Sequence, residues 1–212
     1  STKYNNSQYI SGIKGYAALS IFIVHVGGFL CSLGPLVNQI VCGYAMYAVV
    51  IFLFISSYTI SLSIRNKLSF DYIRYIIHRF FRIAPIYYLI ILFALVINYT
   101  QIVSSSGWIA NVISHMLFIN LSPFYYQFQG SILGVEWMIP IMWWYYVVLP
   151  LLYRMSKNIF LLQILMLVSL FLYFNPAILY SYQATGGYYW SSQIFAPTYM
   201  LGILMSFLLH GK

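Results

Sequence analysis

Apolar residues fall along this chain in long runs, with the polar positions gathered into short stretches between them. A helix needs about 20 predominantly apolar residues to cross the hydrocarbon core of a bilayer. On that scale the pattern predicts about six spans, over Ile13–Leu30, Gly43–Ile64, Ile83–Tyr99, Trp137–Tyr153, Ile159–Phe174 and Phe195–Leu209. A seventh apolar segment, Ile109–Leu121, is too short to cross and is expected to be a re-entrant or interfacial helix. Turn formers such as Pro35, Asn66 and Asn175-Pro176 separate the runs, while Pro140 and Pro197 fall near span starts, where a first-turn proline is tolerated. The expected fold is therefore an all-α integral membrane protein, a multi-span helical bundle.

Composition agrees with that pattern. Of 212 residues, 62% are hydrophobic and 6% charged, with two acidic side chains in all, which excludes the surface of an ordinary soluble domain. The basic residues then set an orientation, because loops facing the cytoplasm collect lysine and arginine. With the N-terminus cytoplasmic, Lys3, Lys14, Arg65, Lys67, Arg74, Arg79, Arg82, Arg154, Lys157 and Lys212 all fall inside. The net charge of +8 is thus a topology signal, and no nucleic acid is needed to account for it. Lys14 before an apolar run could mimic a secretory signal, but no small-residue cleavage pattern follows it near Cys31. Cys31 and Cys42 lie near the outer face, where either a disulfide or two free thiols is compatible with the sequence.

Candidate chemistry begins at His25, which stands deep in the first apolar run with no charged neighbour. An apolar setting favours the neutral imidazole, which can accept a proton as a general base. The competing reading is a histidine hydrogen-bonded between helices for packing. A second group lies between the second and third expected spans, in Ser69-Phe-Asp71 followed by Arg74, His78, Arg79, Arg82 and Pro85. It reads as a short amphipathic helix capped by Ser69, with Asp71 in its first turn and a break or new helix at Pro85. Arg79 and Arg82, three apart, are expected to share a face, with Arg74 and His78 within a turn. Forked guanidiniums suit phosphate, either of a nucleotide-containing donor or of lipid headgroups. Lys14 is eleven positions before His25, at nearly the same azimuth and about 16 Å away along a helix axis.

Glu136, the one glutamate, sits at the outer start of a span, where a helix N-terminus favours a carboxylate whatever the protein does and where a role in a polar site is also open. His78, His115 and His210 fall near expected membrane interfaces, which suits an amphipathic side chain. No histidine, cysteine and carboxylate cluster has metal-ligand spacing, so no metal is expected.

Four stretches resemble the integral-membrane acyltransferase-3 family, whose members O-acylate bacterial polysaccharides and other hydroxyl-bearing acceptors. The first runs from Ile10 through Lys14 to His25, with lysine in place of the family's arginine. The second, Val50-Ile-Phe-Leu-Phe54-Ile-Ser56-Ser57-Tyr58, is similar to an aromatic run ending in Ser-Gly and an aromatic, with Ser57 replacing the glycine. The third is His78-Arg79-Phe-Phe-Arg82-Ile-Ala-Pro85-Ile-Tyr87-Tyr88. In the fourth, Trp137, Tyr146 and Pro150 keep the family's spacing, while Met142 stands where many members have a glutamate.

The resemblance implies a membrane-bound O-acyltransferase of the bacterial cytoplasmic membrane. It would carry no tightly bound cofactor and would use acetyl-CoA as co-substrate, with a carbohydrate or lipid-linked glycan as acceptor. It implies His25 as catalytic base or acyl carrier, Arg79, Arg82 and Lys14 at the donor, and Glu136, Trp137 and Tyr146 lining the site. Residues 1–212 would form one transmembrane domain, shorter at its C-terminal end than is usual in the family. A different class stays open, a polytopic transporter or scaffold using His25 for proton relay or packing. Such transporters generally pair an intramembrane histidine with carboxylates, and only Glu136 is available.

Overall fold

The structure is a computed structural model and describes residues 2–30, 35–65, 70–104, 107–119, 132, 138–174 and 195–209; the side chains of 2–8, 24–30, 35–43, 45–46 and 101 lie outside that description. Ser69, Asn66, Cys31, Asn175-Pro176, Glu136, Trp137 and His210 therefore fall outside the described residues. Those described form helices and turns without a strand: α1 (Thr2–Leu30), α2 (Pro35–Arg65), α3 (Tyr72–Ile97), α4 (Tyr99–Val103), α5 (Trp108–Met116), α6 (Met138–Met155), α7 (Ile159–Phe174) and α8 (Ala196–Leu208). Among them, two segments are long and apolar enough to cross a membrane, Tyr47–Arg65 of α2 and Tyr72–Ile97 of α3. Tyr9–Ile23, Ile159–Phe174 and Ala196–Leu208 are shorter apolar helices.

Pro35, expected as a joint between apolar runs, is the first residue of α2. Two other expectations change. The amphipathic arginine segment and the third expected span are one continuous helix, with Pro85 inside it. A proline costs one backbone hydrogen bond in mid-helix, and the flanking turns of α3 carry the helix through. Asp71, expected in the first turn, is itself the N-cap, its carboxylate accepting from the Arg74 N–H at 3.0 Å.

The chain packs as two compact units, residues 1–62 with 198–212, and residues 63–197. In the first, Ala17 and Ser20 of α1 are buried, and the Tyr16 and Tyr44 hydroxyls meet at 2.6 Å to join α1 to α2. Between α2 and α8 the contact depends on small residues. A Cβ at Gly202 would collide with the Ser57 hydroxyl and come within 2.6 Å of the Phe54 carbonyl, so glycine alone permits this approach. Ser61 and Ser206, each one turn further along its helix, are also buried. Small residues at four-residue spacing let helix backbones close up in lipid, where packing must replace the hydrophobic drive. Gly202 thus supplies from α8 the space that the Ser57 side chain takes up on α2.

The second unit is organised by the turn after α5. Phe118 N–H donates to the His115 carbonyl at 3.0 Å and Ile119 N–H to the Ser114 carbonyl at 2.9 Å, the paired bonds of a Schellman cap. That cap needs a left-handed residue, and Phe118 occupies it with φ of 58°. The strain is offset by burial: the ring stacks on Tyr87 at 4.9 Å between centroids and packs beside Trp143 at 5.3 Å. Two side chains take up exposed carbonyls of the same turn, Trp144 Nε1–H donating to Phe118 O at 2.9 Å and Tyr88 O–H to Met116 O at 2.8 Å. Around it lie Ala84, Tyr87, Ile91 and Ala94 of α3. The α6–α7 turn is closed by Asn158, whose side-chain oxygen accepts from Phe160 N–H at 2.9 Å.

This balance gives a test. Phe118→Ala keeps the left-handed backbone penalty and loses the ring, so it is expected to destabilise by about 3–5 kcal/mol. Phe118→Gly loses the same ring but relieves the backbone, and should be less damaging by about 1 kcal/mol. Unfolding in detergent measures both; an alanine variant as stable as the glycine one would contradict the assignment.

Candidate functional site

In the second unit, the residues that form the site come from the first turns of α3 and the middle of α6. Asp71 fixes the start of α3, and Tyr72, in its first turn, donates its hydroxyl to the Val147 carbonyl of α6 at 3.0 Å. Tyr75, one turn later, is buried with its ring 5.5 Å from that of Phe70. Arg79 follows at the next turn. Its guanidinium carbon lies 5.4 Å from the Tyr75 ring centroid and 5.2 Å from that of Tyr146. Both distances fit a cation held over an aromatic face. Tyr75 and Tyr146 are 7% and 6% exposed, so the side of Arg79 that meets them is shielded from solvent.

Arg79 and Arg82 do not share this setting. Three residues on a helix turn the side chain about 60° short of a full revolution. Arg79 is half-buried in the α3–α6 seam, whereas Arg82 is exposed, as are Arg74 and His78 at four-residue steps before it. The structure thus yields one anchored arginine and an exposed row of Arg74, His78 and Arg82. Tyr146, expected to line the site, is in contact with Arg79. Tyr75 was not singled out by the motif, although its position one turn before Arg79 was a usable signal.

His115, expected near a membrane interface, lies inside the second unit. It is fully buried, its Nδ1 2.8 Å from the Asn111 carbonyl, within the helix whose cap organises this unit.

In the first unit, Lys14 donates its ammonium to the Thr59 hydroxyl of α2 at 2.6 Å. Thr59 passes its own proton to backbone carbonyls, at 2.9 Å to Ile55 and 3.2 Å to Ser56. The helix α1 is unbroken from Lys14 through His25, so the eleven-residue spacing keeps its rise of about 16 Å. The side chain of His25 lies outside the described residues, as do Glu136 and Trp137 entirely.

The described residues thus combine two helices long and apolar enough to cross a membrane with a group of basic side chains on α3. A family model described as an acyltransferase domain matches residues 7–211, and the chain belongs to the acyltransferase-3 family. It is a membrane acyltransferase, acting between an acyl donor and an acceptor. No curated protein and no solved structure matches the chain.

The different settings of the arginines can be checked without substrate. An arginine-selective dicarbonyl reagent, followed by peptide mass analysis, should modify Arg74 and Arg82 well before Arg79. Equal rates at the three positions would show that Arg79 is not held in the seam.

Proposed function

We propose that this enzyme transfers an acyl group, most simply acetyl, from a coenzyme A thioester to a hydroxyl of a cell-envelope or exported polysaccharide. The observation that carries the donor assignment is the Arg79 guanidinium, anchored by two tyrosine rings beside an exposed basic row. Coenzyme A presents phosphates, and a fixed guanidinium binds phosphate through charge-assisted hydrogen bonds. Arg79 is the main donor contact, Arg82 an outer one, and Lys14 a further cation for the donor.

His25 acts as general base. Its neutral imidazole takes the proton of the acceptor hydroxyl, the oxygen bonds to the thioester carbonyl carbon, the carbon–sulfur bond breaks, and the proton passes to the departing thiolate. Glu136 and Trp137 are assigned to the acceptor. The arrangement is six spans with the N-terminus in the cytoplasm of a bacterium, since that orientation gathers the basic residues on the donor's side.

Transfer of label from radiolabelled acetyl-CoA to candidate glycans tests the base: His25→Ala is expected to abolish it, and equal transfer by variant and parent would remove His25 from catalysis. Donor binding tests the arginines. Arg79→Ala should weaken coenzyme A binding by about 1.5–3 kcal/mol, the range for a hydrogen bond to a charged group. Arg82→Ala should weaken it less, by an amount that shrinks as salt is added, because exposed charges are screened. Normal binding by both variants would return the arginines to topology markers.

A further inference from the structure

We infer that Tyr75 and Tyr146 are positioning residues for the donor-binding arginine: their ring faces, one from α3 and one from α6, hold the Arg79 guanidinium in place to grip a phosphate. The inference rests on the donor reading above and gives Tyr146, expected to line the site, a part in the donor contact.

The chemistry of the partners supports it. A guanidinium carries its five N–H donors in its own plane, and aromatic faces attract its charge without consuming any of them. A carboxylate partner would occupy two of those donors and cancel the charge. Among the described residues the one acidic side chain is Asp71, exposed at the start of α3 and engaged with the Arg74 backbone. Ring contacts at 5.4 and 5.2 Å therefore anchor Arg79 while leaving it cationic. An unanchored arginine would have to freeze several rotatable bonds on meeting its ligand, and holding the group beforehand removes part of that cost.

The rings are themselves fixed. Tyr75 packs against Phe70, and Tyr72 ties α3 to the α6 backbone at Val147, the residue after Tyr146. Both tyrosines are buried, so their rings have little room to turn away. Arg82, on the exposed face, has no ring face against its guanidinium among the described residues, so the anchoring is specific to Arg79.

The test uses the full-length enzyme in lipid nanodiscs, with coenzyme A affinity by calorimetry and acetyl transfer kinetics with acetyl-CoA. Tyr146→Leu and Tyr75→Leu are each expected to weaken coenzyme A binding about three- to thirtyfold, the span of a shielded cation–ring contact. The loss should fall on the donor KM, leaving the acceptor KM unmoved. Tyr146→Phe and Tyr75→Phe keep the ring and should recover most of the affinity. The inference is overturned if the leucine variants bind coenzyme A like the parent while Arg79→Ala does not, or if phenylalanine is as damaging as leucine. It is also overturned if the leucine variants raise the acceptor KM instead. Normal coenzyme A binding by Arg79→Ala would mark a failure of the donor reading itself, whatever the tyrosine variants do.

Discussion

Ten lysines and arginines share this chain with two carboxylates, in a sequence that is 62% hydrophobic. Ion pairing cannot satisfy those cations, and an unpartnered charge beside apolar surface is costly. Among the described residues, three of the cations meet ring faces or a hydroxyl instead. Arg79 lies over Tyr75 and Tyr146, Lys157 over Tyr153 at 5.8 Å, and Lys14 donates to Thr59. Such partners stabilise a cation without neutralising it. The positive charge remains available to an anion, and in an enzyme that must take up an acyl donor this links the packing of the helices to their chemistry.

The same economy of polar groups shapes the rest of each unit. Where backbone carbonyls would be left open after α5, Trp144 and Tyr88 supply the donors, and the Schellman bonds close the helix end. Phe118 tolerates a left-handed backbone there because its ring is held in the aromatic core. Between α2 and α8 the problem is space, and Gly202 accommodates Ser57 and the α2 backbone. In both places a local penalty is accepted where close packing more than offsets it.

Much of the helical layout was legible from apolar run length alone. The run Ile159–Phe174 is helical as α7, and the expected segments Trp137–Tyr153 and Phe195–Leu209 fall on α6 and α8 where the structure describes them. The pattern failed at Pro85, where a residue that ordinarily ends helices is carried through by the turns on either side of it. It could not show that His115 is fully buried, since an apolar neighbourhood looks alike in sequence whether it faces lipid or protein. The arginine motif drew attention to the start of α3, but three-residue spacing could not show that Arg79 turns into a seam while Arg82 stays outside. Tyr75 was within reach of a one-turn argument. The contact from Tyr146 was not, because it depends on how α6 packs against α3.

The central claim is that Arg79 and its tyrosines act as one unit in gripping the donor, and a double-mutant cycle measures that coupling directly. Coenzyme A affinity is compared for the parent, Arg79→Ala, Tyr146→Leu and the double variant. The account predicts that once Arg79 is alanine, losing the Tyr146 ring has no further effect on binding. Losses that simply add would contradict it.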